Sequence, residues 1–357
     1  MRLLFRVNLG GELEAGHKGP AEGLGHATRC LALAEALRDL APNAEIRFAF
    51  RGPASSSTLF EAAGFASERV EDEAACLQAF RPDASILDIN SAGRDLVMLY
   101  RGSAPVINLA GRGLAKYYAD LTFNNTAAEL EAPPADALTL PAQPGAWHRG
   151  PRYALIHRRF TELRPAPGEV TSRPFSCIVC LGGVDRDNMT GMVLEALVGA
   201  PAVDFPVTAV AGPLNPRIAE LQALAARRPQ QVSLLVDPPD LPQRLAGAAV
   251  GIFGLGGTTD EALTLGLPSL NLGLTRFHEL RGLELEAAGV IAYLGRFGAV
   301  AGESLVRALL AWRDDPAGQA RRRDRALRLY DGRGCQRVAR AILAYLETTR
   351  PQTRTAC

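Results

Sequence analysis

The stretch FSCIVCLGGVDRDNMTGMVLEALV, residues 175–198, is the segment that best indicates the fold of this sequence. It begins with the continuous apolar run Phe175–Leu181, which is typical of a strand buried on both faces of a parallel sheet. A Gly-Gly turn follows, and Asn188–Val198 predicts a helix with Asn188 as its N-cap. A buried strand, a glycine turn and a helix in this order indicate an α/β protein built from βαβ units.

The same alternation continues to the end of this half of the chain. We predict further strands at Val207–Ala211, Val232–Val236, Ala249–Phe253, Ser269–Leu272 and Val290–Tyr293. Predicted helices are Leu241–Ala246, Thr258–Leu265 and Glu303–Trp312, followed by a long helical region near the C-terminus. Strands that alternate with helices predict a doubly wound parallel sheet.

The first half shows an independent set of strands and helices. We predict strands at Leu3–Asn8, Ile46–Phe50, Ala84–Leu87, Val106–Leu109 and Asp120–Asn124, and helices at Ala27–Leu40 and Thr58–Ala63. The proline-rich, aperiodic segment Glu131–Arg152 predicts an interdomain linker. We therefore predict two Rossmann-like domains, 1–150 and 151–330, and a C-terminal helix with a disordered tail at 331–357.

Composition restricts the classes of function. The chain has 357 residues, 47% of them hydrophobic, and a formal net charge of +1, which predicts neither nucleic acid nor an anionic membrane as a main partner. No apolar run is long enough to span a bilayer, and the N-terminal apolar stretch is too short for a signal peptide. We expect a cytoplasmic monomer that requires no cofactor and no metal.

The six cysteines predict buried, reduced thiols rather than disulfides or a zinc site; they are Cys30, Cys76, Cys177, Cys180, Cys335 and Cys357. Cys177 and Cys180 form a Cys-x-x-Cys pair, but residues three apart on a strand point to opposite faces. They are therefore poorly placed to share a metal or a disulfide.

Three glycine-rich junctions between a strand and a helix are candidate ligand sites. The first, Gly23-Leu24-Gly25-His26, precedes a helix whose N-terminus offers unpaired N–H groups to an anion. His26 lies next to this positive helix end, which favours a neutral imidazole that can accept a proton. The alternative is a histidine that only packs or caps the helix.

The other two junctions lie in the second half. Leu181-Gly182-Gly183-Val184-Asp185 is either a cradle for a phosphate or sugar, or a tight turn. In Gly254–Thr259, glycines present the N-terminus of a helix, and two hydroxyls could join its amides in holding a diphosphate. Glu261 could then accept hydrogen bonds from two ribose hydroxyls, or it could be an acid that the helix dipole stabilises in the first turn.

Taken together, five segments of this sequence resemble the PseG/SpsG family of UDP-sugar hydrolases, which are similar in fold to MurG-type GT-B glycosyltransferases. The segments occur in the family's order along most of the chain: GLGHATRCLALAEAL from Gly23, YALIHRRF at 153–160, LGGVDRDNMTGMVLEAL from Leu181, GLGGTTDEALTLGLPSL from Gly254 and DGRGCQRVARAIL at 331–343. The resemblance implies a GT-B-like fold with two Rossmann-like domains that face each other across a substrate cleft.

The resemblance also implies a UDP-sugar substrate and roles for particular residues. The diphosphate would lie on Gly256, Gly257, Thr258 and Thr259, the ribose on Glu261, and Gly182 and Gly183 would border the same site. His26 matches the histidine that acts as base on the attacking water, so that hydrolysis at the anomeric carbon releases UDP without a nucleotide-bound metal. We assign Asp88 to the catalytic residues as well. The further substrate-binding candidates are Gly25, Arg29, Asp185, Asn188 and His278.

Four segments depart from the family pattern, and all fall where the sugar would bind. They are Asp88-Ile89-Asn90, where a tyrosine is usual, Asn108–Gly111 in place of an acidic pair, Thr275–Glu279 in place of an Asn-Gln pair, and the long loop Gly10–Glu22. The nucleotide motifs are intact, so the sequence predicts UDP more firmly than it predicts the sugar.

Two other functions fit the same residues. An inverting GT-B glycosyltransferase would use His26 to deprotonate an acceptor hydroxyl instead of water. A nucleotide-sugar sensor would bind without turnover, although the presence of His26 disfavours it. The favoured substrate is a UDP-linked diacetamido-trideoxy or related sugar of the pseudaminic-acid type.

Overall fold

The structure is a computed structural model, and it describes residues 1–9, 24–130, 132–139, 146–169 and 174–349. Contacts divide the chain into two compact units. The first unit comprises Met1–Asn125, Glu131–His157 and Arg333–Cys357, and the second comprises Thr126–Leu130 and Arg158–Gly332. Contacts describe packing rather than independent folding, so the domain limits 1–150, 151–330 and 331–357 stay a prediction.

The first unit contains a parallel sheet of seven strands in the order β3-β2-β1-β4-β5-β6-β7. The strands are β1 (Arg2–Asn8), β2 (Glu45–Arg51), β3 (Ala66–Arg69), β4 (Ala84–Asp88), β5 (Val106–Asn108), β6 (Leu121–Asn124) and β7 (Trp147–Arg149). The helices between these strands are α1 (Leu24–Leu40), α2 (Ser57–Ala62), α3 (Glu73–Phe80) and α4 (Arg94–Arg101). The order of the strands reverses between β1 and β4, so the topological switch point lies between these two strands.

The second unit contains a parallel sheet of six strands in the order β10-β9-β8-β11-β12-β13. The strands are β8 (Cys177–Cys180), β9 (Val207–Ala211), β10 (Val232–Val236), β11 (Val250–Phe253), β12 (Ser269–Gly273) and β13 (Ile291–Arg296). The helices are α5 (Arg158–Thr161), α6 (Met189–Gly199), α7 (Ile218–Ala225), α8 (Leu241–Gly247), α9 (Gly257–Thr264), α10 (Arg276–Ala287), α11 (Gly302–Arg313) and α12 (Pro316–Leu329). Here the switch point lies between β8 and β11.

The last helix, α13 (Gly334–Thr349), returns to the first unit and packs on α1. Its apolar face, which includes Val338 and Ile342, joins the core formed by β1, β2 and α1. The start of α13 also lies very close to the backbone of Ala154, because a Cβ at Gly334 would lie 1.9 Å from the carbonyl oxygen of that residue. Apolar burial against α1 therefore anchors this end of the chain to the first unit.

Several local predictions differ from the structure. The predicted linker contains strand β7, which pairs with β6, because Trp147 packs against Tyr117. Asn188 occupies the N-cap position of α6 with φ +57°, but its side chain makes no capping hydrogen bond. Asp185 caps that helix instead, as described below. Helix α1 begins at Leu24 rather than Ala27, so His26 lies inside its first turn.

The thiols of five cysteines are buried and form no disulfide; these are Cys30, Cys76, Cys177, Cys180 and Cys335. The sixth, Cys357, lies outside the described residues. No helix in the described part of the chain is long and apolar enough to cross a membrane.

Candidate functional site

In the second unit, the predicted nucleotide residues follow three neighbouring strands at one edge of the sheet. β8 and β11 are paired in parallel, with Cys180 opposite Phe253, and β11 is paired with β12. Gly182 and Gly183 follow β8, Gly256–Glu261 follow β11, and His278 follows β12. Parallel strands end at the same edge, and this edge contains the switch point, where α/β sheets bind ligands.

The loop between β11 and α9 presents the N-terminus of that helix. Gly256 is its N-cap, in extended backbone, and the helix begins at Gly257. Both glycines are exposed, and a Cβ at either would meet nothing within 4 Å. The first amides of a helix lack partners within the helix, so this loop offers open N–H groups to an anion.

Of the two threonines that follow, only Thr258 is partly exposed. Thr259 is fully buried, and its hydroxyl donates a hydrogen bond of 2.5 Å to the carbonyl of Gly254. Burial raises the pKa of the Cys180 thiol to about 11, against the lowering effect of hydrogen bonding with the Gly182 backbone and Thr258, so this thiol stays protonated.

The loop after β8 is held by the carboxylate of Asp185. Its two oxygens accept from the backbone N–H groups of Met189 and Thr190, at 2.8 and 2.9 Å. Asp185 therefore caps α6 from within the loop and is itself buried. Gly182 has φ +111°, a backbone conformation that favours glycine, and a Cβ there would meet nothing within 4 Å.

Glu261 is half-buried in the second turn of α9, whereas the acid in the first turn is Asp260. Burial raises the pKa of Glu261 to about 7; the positive charge of Arg159 opposes this shift, and the negative charge of Asp260 adds to it. A carboxyl group that titrates near neutral pH next to an open helix N-terminus is typical of a functional site. Arg159, on α5, was not among the residues that the sequence analysis selected.

His278 lies in the first turn of α10, where Thr275 is the N-cap. Its Nδ1 accepts a hydrogen bond of 3.2 Å from the backbone N–H of Leu274, and Thr275 accepts from the N–H of His278. The imidazole thus stabilises the turn that follows β12, at the same sheet edge as the two glycine loops.

In the first unit, the structure brings together the catalytic candidates His26 and Asp88. Asp88 is the last residue of β4, paired with Val7 of β1, and its side chain is fully buried. His26 Nδ1 lies 2.9 Å from Asp88 Oδ1, and 13% of the histidine side chain is exposed. Gly25 beside it is exposed, whereas Gly23 and the loop Gly10–Glu22 lie outside the described residues.

Arg29 holds Asp88 from the next turn of α1. Its Nε donates to Asp88 Oδ2 at 2.5 Å, and its Nη2 donates to Oδ1. Burial alone would raise the pKa of Asp88, but the charge of Arg29 and the hydrogen bonds from Arg29 and His26 outweigh it and lower that pKa. The ionised carboxylate can only accept, so Nδ1 of His26 carries a hydrogen, and in the neutral imidazole Nε2 is then the nitrogen with the lone pair.

Asn90 is a neighbour of His26 that sequence reasoning missed. Its Nδ2 lies 3.1 Å from Nε2, where it donates to the lone pair of the imidazole. The sequence analysis named Asn90 only as part of Asp88-Ile89-Asn90, a segment that departs from the pattern of the family it resembles. A substrate hydroxyl or water that uses Nε2 as its base must therefore replace this amide.

The fold was compared with known proteins. No protein-family model matches the sequence, and a search of curated proteins finds no match either. Among solved structures, the chain is similar to MurG of Acinetobacter baumannii, at 13% identity and a TM-score of 0.63, over 96% of this chain and 99% of that one. It is also similar to MnaA of S. aureus, solved with UDP, at 14% identity and a TM-score of 0.66 over 98% of both chains.

A third similar structure is HepE of Anabaena in complex with UDP, at 14% identity and a TM-score of 0.63, over 98% of this chain and 100% of that one. Identities this low establish the fold alone. The prediction of a GT-B-like α/β fold, with two parallel sheets and alternating helices, is confirmed.

Proposed function

We propose that this chain is a UDP-sugar hydrolase of the PseG/SpsG kind, which releases UDP and a free sugar from a UDP-linked diacetamido-trideoxy or related sugar. The observation that carries the proposal is the His26–Asp88 pair, which leaves a lone pair on Nε2 beside a helix N-terminus. The similar structures of HepE and MnaA, both solved with UDP, support the choice of nucleotide.

The second unit would hold the nucleotide. The N–H groups of Gly256, Gly257 and Thr258 bind the diphosphate, because they are the open amides at the start of α9. Glu261 accepts from the two ribose hydroxyls. Gly182 and Gly183 border the same site and let the backbone approach the ligand closely.

Four other predicted residues receive supporting roles in this proposal. The hydroxyl of Thr259 and the carboxylate of Asp185 are engaged with backbone groups, so both hold the loops that carry the ligand contacts. Asn188 forms the turn before α6, and His278 borders the site from the first turn of α10.

In the reaction, the oxygen of a water molecule attacks the anomeric carbon of the sugar. The water proton passes to Nε2 of His26, and the negative charge of Asp88 stabilises the resulting imidazolium. The bond between the anomeric carbon and the β-phosphate oxygen breaks, and its electron pair leaves with UDP. Arg29 keeps Asp88 ionised, and Gly25 leaves room beside the imidazole.

An inverting glycosyltransferase is the second candidate function, because one similar structure is the spinosyn forosaminyltransferase SpnP, at 16% identity and a TM-score of 0.65. There the oxygen of an acceptor hydroxyl would replace that of water, and the rest of the chemistry would be the same. A sensor without turnover is the third candidate. The monomeric state and the cytoplasmic location also remain proposals.

One experiment separates these candidates. The protein is incubated with a panel of UDP- and CMP-sugars in ¹⁸O-labelled water, with and without hydroxyl acceptors, and the released nucleotide is analysed by mass spectrometry. Hydrolysis predicts release of UDP without an acceptor and without ¹⁸O in its phosphate, because the carbon–oxygen bond breaks. Release only with an acceptor indicates a transferase, label in UDP indicates attack on phosphorus, and no release from any sugar contradicts both enzyme functions.

A further inference from the structure

The loop between β11 and α9 is bonded to buried donors through its carbonyl groups. The Gly254 carbonyl accepts from the Thr259 hydroxyl at 2.5 Å and from Asn271 Nδ2 at 2.9 Å. The next carbonyl, that of Leu255, accepts from Arg281 Nη1 at 2.7 Å. The third carbonyl, that of Gly256, accepts from the backbone N–H of Thr259 at 3.2 Å and from Arg281 Nη1 at 3.5 Å.

Peptide geometry gives these bonds a consequence for the opposite side of the loop. The described chain contains no cis peptide bond, and in a trans peptide the C=O and the following N–H point in opposite directions. Because the carbonyls of Gly254, Leu255 and Gly256 point toward buried donors, the N–H groups of Leu255, Gly256 and Gly257 point away from them. Gly256 and Gly257 are both exposed residues.

The donors are themselves fixed by buried partners. Arg281 is paired with Asp260, which also accepts a hydrogen bond of 2.8 Å from the hydroxyl of Tyr330. All three residues are at most 4% exposed. Asn271 is oriented by Ser269, whose hydroxyl donates to its Oδ1 at 2.7 Å.

A buried ion pair of this kind contributes little net stability, because desolvation of both charges offsets their attraction. Replacing it with apolar residues would often be neutral for the fold. While it is paired with Asp260, Arg281 also donates a hydrogen bond to the loop carbonyl of Leu255. An apolar residue could not donate this bond. The arrangement therefore fits a role in fixing the loop better than a role in stabilising the core.

We propose that Thr259, Asn271 and Arg281 are positioning residues for the nucleotide diphosphate: they bind the loop carbonyls and so aim the loop amides at the phosphates. This inference rests on the proposed function, and it adds Asn271 and Arg281 to Thr259 as residues that hold the loop without touching the ligand. Preorganised amides bind an anion without reorganisation, so loss of a donor should weaken phosphate binding specifically.

The test compares the affinities for UDP and for uridine, which lacks the phosphates, by calorimetric titration. Thr259→Val removes one donor, and Thr264→Val is the matched control, since Thr264 is equally buried in the same helix and its hydroxyl also donates to a carbonyl, that of Asp260. Thr259→Val should weaken UDP about three- to tenfold and leave uridine within about twofold. Thr264→Val should change neither affinity.

Arg281→Lys is a second variant, which keeps the positive charge near Asp260 but cannot donate through a planar fork. It should weaken UDP about tenfold, again with uridine unchanged. Equal losses for UDP and uridine, or no loss in Thr259→Val, would overturn the inference even if Arg281→Lys does not fold. If the unsubstituted protein binds uridine and UDP equally weakly or not at all, the proposed function has failed instead.

Discussion

Asp88 Oδ1 lies 2.9 Å from His26 Nδ1, although the two residues are 62 positions apart in the sequence. One ends strand β4 and the other lies in the first turn of α1, so both flank the switch point of the first sheet. The buried, ionised carboxylate fixes the tautomer of the imidazole. Arg29 Nη2 lies 3.2 Å from Nδ1 and donates to the same carboxylate oxygen of Asp88. Only Nε2 is left to accept a proton from a substrate.

His26→Asn is the first prediction. We expect turnover to fall by about 10²–10⁴, the range for loss of a positioned general base, with UDP affinity unchanged because the proposed nucleotide site involves other residues. Steady-state kinetics on the folded variant and titration with UDP measure the two effects. His157→Asn is the matched control, because His157 also lies next to a carboxylate, Glu35, in the same unit.

The opposite result would be a less stable His26→Asn protein whose folded fraction turns over normally. That pattern would make His26 a structural residue. The base would then have to be a group outside the His26–Asp88 pair.

The second prediction concerns the pair as a unit. Asp88→Asn replaces the carboxylate with an amide that can present its oxygen or its nitrogen to Nδ1, so the tautomer is no longer fixed. We expect this variant to lose about 10²–10⁴ in kcat, and the double variant His26→Asn/Asp88→Asn to be little worse than His26→Asn. Additive losses in a double-mutant cycle would show that the two residues act separately.

How far the sequence predicts the fold depends on how clear the apolar runs are. Strands β9 and β10 have the bounds expected from their apolar runs, although only β9 is largely buried and β10 is partly exposed. Strand β3, Ala66–Arg69, was missed because it is a short edge strand of mainly polar, partly exposed residues. Helix α4 was also missed, although its buried residues Val97 and Tyr100 are three positions apart and so lie on one face of the helix.

The candidate site shows the same limit. Glycine loops at strand ends and the residues next to them are local patterns, so the sequence identifies Gly256, Gly257 and His26. Asn90 and Arg281 act through contacts with residues far away in the chain, at separations of 64 and 26 positions. No local pattern marks such contacts, and they become visible only when the sheet brings the strand ends together.

The third prediction is that UDP alone stabilises the protein. Ligand at about a hundred times its dissociation constant should add roughly 2.7 kcal/mol to the free energy of unfolding, by mass action. Thermal unfolding with UDP, CMP, ADP and GDP as parallel ligands measures this. A shift with another nucleotide but none with millimolar UDP would show that the uridine assignment is wrong.

The fourth prediction follows from the raised pKa of Glu261, about 7 against an ordinary value of 4.5. The folded protein then holds this proton more tightly than the unfolded chain, so unfolding releases protons between these two values. Stability should therefore fall as the pH rises from about 4.5 to 7, by about 1–3 kcal/mol from this group after allowance for solvent screening. Glu261→Gln cannot titrate, and chemical denaturation at several pH values should show a smaller decline in this variant.

The same group should make nucleoside binding depend on pH. If the ionised carboxylate accepts from the ribose hydroxyls, only that form binds uridine well, and about a tenth of the molecules carry it at pH 6. Uridine affinity should thus be roughly tenfold weaker at pH 6 than at pH 8, and Glu261→Gln should bind weakly at both. Uridine is used because it has no phosphate that titrates in this range. A stability that depends on Glu261, combined with a uridine affinity that does not change with pH, would show that this carboxyl is buried but does not bind the ribose.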